Sequence, residues 1–331
     1  MGCEKRGVAG RAFCMSSGKP AAICKFARHG GNGARLALRV CPVKTLLLPL
    51  ALLVAAAHLH ADLPLDTVFK GREKFDALVA QATAWKQYPI GTRTALVGRA
   101  LAGTPYKGFT LEIDDRVEAP SVNFTGLDCW TFFETSLAFA RMLDTPQEEW
   151  TPQTMLRFVE MDRYRSGQCD GSYLSRLHYL EEWFHDNDRR GLVTDLTRTL
   201  GGERVSHSTG EMTINWRTYR YLRADPTLRP GIRSMEERVA SMPMYHIPKS
   251  RVPTIEPSLR SGDVIGITTN DPGGIGTSHV GIAYRTPDGV LHFMHASAPR
   301  NHGRVVLDSR LSDYLNRFRT NAGIIVARPL R

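Results

Sequence analysis

At 331 residues, 42% hydrophobic and 23% charged, the chain has the composition of a globular protein with enough apolar material for a substantial core. Its formal charge of +10 is unevenly placed: nine of the basic residues and a single acid, Glu4, fall in residues 1–61, leaving 34 basic against 32 acidic side chains beyond them. The remainder is nearly neutral, so it lacks the electrostatic footprint of a nucleic-acid binder and no nucleic-acid partner is expected.

In chain order, the basic prefix comes first. Leu46 to Ala57, LLLPLALLVAAA, is a short apolar run behind Arg39 and Lys44 that leads to Leu59-His60-Ala61. That is the form of a secretory signal, too short to span a bilayer comfortably, with cleavage expected after Ala61; an uncleaved anchor is the alternative. The expectation is a periplasmic or secreted protein that meets the membrane only through this segment. Cys3, Cys14, Cys24 and Cys41 lie in the prefix, none just after the apolar run, and the mature chain keeps Cys129 and Cys169. Two cysteines in an oxidising compartment can pair, unless one must stay reduced for chemistry. No CxxC or ligand-spaced cluster marks a structural zinc, and neither metal nor cofactor is expected.

From Leu65 to Lys86, Val68, Phe75, Leu78, Val79 and Ala82 recur at helical spacing, and Ile90 to Leu101 repeats the habit; both read as packing helices. Gly103-Thr104-Pro105 ends the second, and Tyr106 to Ile113 alternates like a strand. Asn123 to Leu143, NFTGLDCWTFFETSLAFARML, is apolar nearly all round from Trp130 onward, with only Thr131, Glu134, Thr135, Ser136 and Arg141 interrupting, the pattern of a core helix. Asp128 and Thr125 are cap-type residues, so Cys129 falls at or beside the first helical position, in the positive end of the macrodipole. That placement favours thiolate, the attacking species. Taken alone, a free cysteine is more often a small core hydrophobe.

Thr151 to Tyr164 and Ser172 to Asp186 read as further helices, the second carrying His178 and His185 on one face; without i,i+4 spacing or a placed carboxylate these favour packing over metal binding. Gly201-Gly202 to Trp216 and Asp225 to Pro230 are turn-rich and read as loops over one side of a cleft, with Trp216, Tyr219 and Tyr221 as candidates for stacking on a sugar or simply for anchoring. Strands follow at Met244–Ile247, Asp263–Thr268, Val280–Tyr284, Val290–His295, Arg304–Leu307 and Ile324–Arg328, with Gly273–Gly276 as a flexible approach to the third. His279 opens one strand and His295 nearly closes the next, across a Pro-Asp-Gly turn, so the two imidazoles can be cross-strand neighbours. One can then take the proton of Cys129 while the other orients it. His292 faces away from His295 by strand parity.

The pattern LDCWTFFET, SHVGI and FMHAS, in that order, resembles the NlpC-type papain-like cysteine hydrolases of bacterial cell walls, and is most similar to their N-acetylmuramoyl-L-alanine amidase-like branch. The likeness extends from about Ile90 to Pro329, taking in GTPYKGFTLE, YRSGQCDGSYLSRLHYLEEW and RSGDVIGI. It implies an α+β, papain-like core in which the Cys129 helix packs on an antiparallel sheet: a prefix of residues 1–61, then one amidase domain over 62–331 with helical insertions at about 144–243. It also implies a catalytic Cys129, His279 and His295, with Tyr106, Asp128, Trp130 and Ser278 lining the substrate site. The substrate class is muropeptides, fragments of peptidoglycan, cut between muramic acid and L-alanine. A γ-D-glutamyl-diamino acid endopeptidase, a metal-dependent amidase and a muropeptide-binding protein without turnover are the alternatives.

Overall fold

The computed structural model describes residues 63–271 and 273–330; the expected signal segment and the four prefix cysteines lie outside them. All belong to the second of two compact units, His58–Arg331. No described helix is long and apolar enough to cross a membrane.

The unit is α+β. Its helices are α1 (Leu65–Val68), α2 (Arg72–Ala82), α3 (Ile90–Ala100), α4 (Cys129–Met142), α5 (Pro152–Arg163), α6 (Leu180–Arg189), α7 (Glu211–Ile214), α8 (Arg220–Ala224), α9 (Arg229–Ser241), α10 (Val252–Ile255) and α11 (Leu311–Arg317). Strands β1 (Phe69–Lys70) and β2 (Val122–Asn123) form a small parallel pair. The remaining strands are β3 (Val193–Asp195), β4 (Glu203–Val205), β5 (Met244–Pro248), β6 (Val264–Asp271), β7 (Gly274–Arg285), β8 (Leu291–Ala296), β9 (Val305–Arg310) and β10 (Asn321–Pro329). They make one antiparallel sheet in the order β4-β5-β10-β6-β7-β8-β9, with β3 also paired to β10.

Helix α4 packs on β7 and β8 and is flanked by α3 and α5. Every residue from Thr131 to Met142 is buried, including the five polar interruptions. Two of those are charged and are neutralised by α5: Glu134 accepts from Arg163 at 2.8 Å, and Arg141 donates to Asp162 at 3.0 Å. A charge this deep is tolerated only when paired. Opposite in sequence but equally buried, Arg176 pairs with Glu118.

Four expected elements differ from the structure. The Leu65–Lys86 helix is interrupted at Phe69–Gly71, where Gly71 takes φ 80 and its Cβ position would lie 2.8 Å from Phe124 Cβ, so the break is built on glycine. Tyr106–Ile113 forms no strand: Pro105 and Tyr106 make isolated bridges to Arg304 and Leu127, and Phe109 at φ 60 ends any extended run. The Ser172–Asp186 helix is a short 3-10 turn, Tyr173–Ser175, then extended backbone at Arg176, then α6; the bridge of Arg176 to Tyr164 holds the chain extended there. His178 therefore precedes the helix and shares no face with His185. Finally, Gly274 and Gly276 are paired residues of β7 opposite Asp271 and Thr269, not a flexible approach.

Beyond the turn-rich stretch, α9 carries Pro230 and Gly231 in its first turn, where proline is tolerated, and its buried residues Ile232, Met235, Glu236 and Val239 follow helical spacing. Replacing Glu134 by Ala leaves the Arg163 guanidinium buried with only Ser121 as partner. The expected loss is about 3–5 kcal/mol of unfolding free energy, measured by urea denaturation.

Candidate active site

Asp128 is the N-cap of α4. Its carboxylate accepts from Thr131 N at 2.8 Å while the Thr131 hydroxyl accepts from Asp128 N at 2.9 Å, a reciprocal box that pins Cys129 as the first helical residue. Cys129 is half-buried and lies in a cleft of about 460 Å³, whose walls also include Tyr106, Asp128, Trp130, Ser278, His279 and Val280. All of the site residues read from the sequence, except buried His295, therefore line one cavity. His295 stands directly behind it.

The two imidazoles meet through the sheet. The last paired residues of β7 and β8 at this end are Ile282 and Met294, so His295 lies one step beyond the pair and His279 three. They are diagonal neighbours on one face, and the His279 Nε2 to His295 Nδ1 distance is 2.7 Å. Gly281 lies between them in the strand; a Cβ there would come within 2.7 Å of the Phe293 ring and 2.5 Å of Met294 O, so glycine is required for this close approach. Phe293 stacks on His295 with centroids 4.7 Å apart, and Tyr314 of α11 meets it edge-on at 5.1 Å.

Sequence reading missed the residue that decides the proton positions. Asp308 on β9 approaches His295 Nε2 with Oδ2 at 3.3 Å and is itself held by Arg317 at 2.8 Å and by the Ser309 N–H at 2.6 Å. Arg317, Ser309 and His295 together hold its carboxyl well below the usual carboxylate range despite burial. An ionised Asp308 stays deprotonated and accepts a hydrogen bond from His295 Nε2–H. His295 Nδ1 is then an acceptor, His279 Nε2–H donates to it, and His279 Nδ1 carries the free lone pair. A carboxylate thirteen residues from His295 had no motif to announce it.

Both bulges in the neighbouring ladders fall at this point. Ile267 pairs with His279 but Thr268 with Thr277, which leaves Ser278 as the extra residue of β7 immediately before the histidine. His292 pairs with Arg310 but Met294 with Leu307, which puts the other irregularity at Asp308–Ser309. Bulges re-aim side chains beside active sites, and here each re-aims one member of the set.

Two features oppose the thiolate expected from the helix start. Burial, then the Asp128 carboxylate, push the Cys129 thiol up to about 12, against the pull of backbone N–H groups of Val280, Trp130 and Cys129 itself. Burial, then His295, lower His279 to about 3, and burial also lowers His295. Desolvation and a capping carboxylate one residue away thus act against the helix dipole, and both favour a neutral thiol beside a neutral imidazole. Tyr106 is pushed up to about 12 by burial and then by Cys129 and Asp128, so its hydroxyl stays a donor.

Of the residues weighed for sugar stacking, Tyr219 lines the cleft and bonds Glu211. Tyr221 is fully buried, stacked on Tyr173, with its hydroxyl on Val117 O at 2.8 Å, and is structural. Trp216 lies against Arg229 and Arg217 outside the main cleft. His178 lines the cleft but is held by Tyr173 O at 2.9 Å, and His185 is exposed elsewhere. Cys169 is a free thiol lining a separate cavity beside Glu118 and Glu160. Among the described residues no cluster of three or more His, Cys, Asp or Glu is arranged to hold a metal ion.

A family model described as N-acetylmuramoyl-L-alanine amidase-like (AmiA-like) matches residues 96–324. The chain belongs to that family. An N-acetylmuramoyl-L-alanine amidase from Bacteroides uniformis is 30% identical, with a TM-score of 0.64 over 73% of this chain and 99% of its own. A Bacteroides fragilis protein named a xylanase is 34% identical, with a TM-score of 0.61 over 71% of this chain and 99% of its own. A Legionella pneumophila protein, 19% identical with a TM-score of 0.58 over 78% of this chain and 95% of its own, shares the fold. No curated protein matches the chain. All the cleft residues named above fall inside the span of this amidase-like match, as do His295, Asp308 and Arg317.

For this amidase-like chain, the neutral resting thiol has a direct consequence. Alkylation of Cys129 by iodoacetamide should be slow at about pH 7 and still accelerating beyond about pH 9, followed by mass spectrometry of the Cys129 peptide. A rate that has already levelled off near neutrality would show a resting thiolate–imidazolium pair instead.

Proposed function

We propose that this amidase-like protein is a cysteine-dependent cell-wall hydrolase of the NlpC-type, papain-like class that cuts muropeptides between the lactyl carbonyl of N-acetylmuramic acid and the nitrogen of L-alanine. The observation that carries the reading is the shared cleft in which Cys129 and His279 face one cavity while His279 is bonded ring-to-ring to His295. The signal segment expected from the sequence supports a periplasmic or secreted location, where such a substrate is found.

The steps follow from the groups present. The Cys129 sulfur attacks the carbonyl carbon as its proton passes to His279 Nδ1, and backbone N–H groups at the start of α4 stabilise the oxyanion. The C–N bond breaks, the L-alanine nitrogen leaves with the proton from His279, and the sugar remains as a thioester on sulfur. Water, deprotonated by His279, releases the sugar acid and restores the thiol. Asp308 acts at a distance as a positioning residue, by fixing the tautomers of both rings.

A glycosidase, the activity in one relative's name, needs two carboxylates flanking a glycosidic oxygen. Of the four cleft carboxylates, Asp128 is bound to Thr131, Glu112 faces Tyr173 and the Arg220 N–H, Glu211 holds Tyr219, and Glu181 accepts from the Thr277 hydroxyl and faces His207. The acyl-transfer reading needs no such pair of carboxylates.

Mass analysis of defined muropeptide digests tests the bond: the wild type yields free sugar and the complete stem peptide, and Cys129→Ala yields neither. Shorter peptide fragments would move the cut to a γ-D-glutamyl bond. Asp308→Asn presents an N–H to His295 Nε2, which reverses both tautomers and puts a proton on His279 Nδ1. We expect kcat to fall roughly 10²–10⁴-fold, the contribution of an aligned base, in a protein that still folds but melts at a lower temperature because the Arg317–Asp308 ion pair is lost. His279 is competent when neutral, so activity is present above its pKa and lost as pH falls through it. With that pKa lowered to about 3, the acid limb of kcat/KM lies far below the ordinary histidine value of 6.5.

A further inference from the structure

Beyond the cleft, across Met212, lies a second cavity of about 270 Å³ between α7, α8 and α9. Met212 lines both. Its polar equipment is unusual for this molecule. Arg93, Arg141, Arg163, Arg176 and Arg328 are matched to the carboxylates of Asp144, Asp162, Glu134, Glu118 and Asp263, and half-buried Arg285 spends its terminal nitrogens on the carbonyls of Gly289, Glu256 and Leu259. Arg229, half-buried in the cavity wall, has no carboxylate partner among the described residues. Its Nε donates to Leu222 O at 3.1 Å and its guanidinium lies 3.4 Å from the centre of the Trp216 ring. Those two contacts fix the plane of the fork and leave its terminal nitrogens available, the arrangement that suits a planar oxyanion.

A second observation points to a ligand independently. Thr213 Oγ1, also in this wall, is buried with no hydrogen-bond partner. Such a hydroxyl is costly to leave unmatched. Glu236, the buried carboxylate of the same region, is occupied by the Met212 and Thr213 N–H groups and by the Tyr179 hydroxyl at 2.6 Å, so it does not neutralise Arg229. Arg233, exposed at the rim, adds a further positive charge.

We propose that this cavity is a carboxylate subsite, in which Arg229, braced on Trp216, and the Thr213 hydroxyl receive a carboxylate of the peptide stem whose sugar-linked end lies at Cys129. This rests on the muropeptide reading of the main cleft and deepens it: the peptide, not the glycan, runs from the cleft across Met212. A stem of four residues spans roughly 13 Å when extended. The subsite distinguishes free-acid stems from those whose carboxylates are amidated, and favours the former.

Isothermal titration calorimetry of the wild-type protein with the sugar-free tetrapeptide L-Ala-γ-D-Glu-L-Lys-D-Ala, and with the same peptide carboxamidated throughout, tests this without the sugar-to-L-alanine bond of the hydrolase reading. The free acid should bind at least about tenfold more tightly, the worth of one charge-assisted hydrogen bond. Arg229→Gln should erase that ratio, Arg229→Lys should keep part of it, and Thr213→Val should lower free-acid affinity severalfold. Equal binding of the two peptides by the wild type, or undiminished discrimination by a folded Arg229→Gln, overturns the subsite. If Arg229→Gln does not fold, the wild-type ratio and Thr213→Val decide. Turnover of intact muropeptide is scored separately: carboxylate-dependent binding without turnover removes the hydrolase reading and leaves the subsite, and turnover without discrimination does the reverse.

Discussion

The hydrogen bond from His279 to His295 is the contact around which the site is arranged. Two imidazoles 2.7 Å apart in a poorly solvated place cannot both be charged, and two neutral rings can bond only if one presents N–H and the other a lone pair. The choice between the two possible directions is made one step further out, where Asp308, ionised by its bonds to Arg317 and Ser309, requires a proton on the near nitrogen of His295. The direction then propagates inward to leave His279 Nδ1 basic. Phe293 and Tyr314 wall the rings from water and hold their planes, and Gly281 allows the Phe293 ring to lie where a side chain would otherwise stand.

The other half of the site is held by different physics. Cys129 is placed by a capping box at the tip of a helix whose whole length is interior, and that helix is locked to α5 by two buried ion pairs. Rigid elements thus carry both reactants, so little reorganisation is needed when they meet over a substrate. The same depth raises the thiol and lowers the imidazole. Attack must therefore be coupled to proton transfer within the closed cleft, rather than drawn from a standing pool of thiolate.

Much of this was legible in the chain. The apolar run after Cys129, the cap residues before it and the alternating strands around a Pro-Asp-Gly turn report local periodicity, and local periodicity is what sequence patterns carry. What escaped was non-local. Ser278 and the Asp308–Ser309 pair are bulges, defined by a partner strand and not by their own composition. Asp308 itself is one carboxylate among 33 acidic residues, singled out only by the fold. Arg176 looked like a helix residue and is extended, because its pairing with Glu118 and the bridge to Tyr164 override propensity. The helix dipole at Cys129 is likewise visible in the sequence, and the burial that acts against it is not.

If Cys129 attacks the lactyl carbonyl with His279 as its proton acceptor, the reaction passes through a thioester on that one sulfur. Acid quenching of the protein during turnover of a defined muropeptide, followed by intact-mass and peptide mass spectrometry, reads that intermediate directly. The account predicts an adduct on Cys129 equal to the sugar acid less one water, absent when substrate is omitted. Steady turnover with no adduct on Cys129, and undiminished by its replacement with alanine, would contradict it.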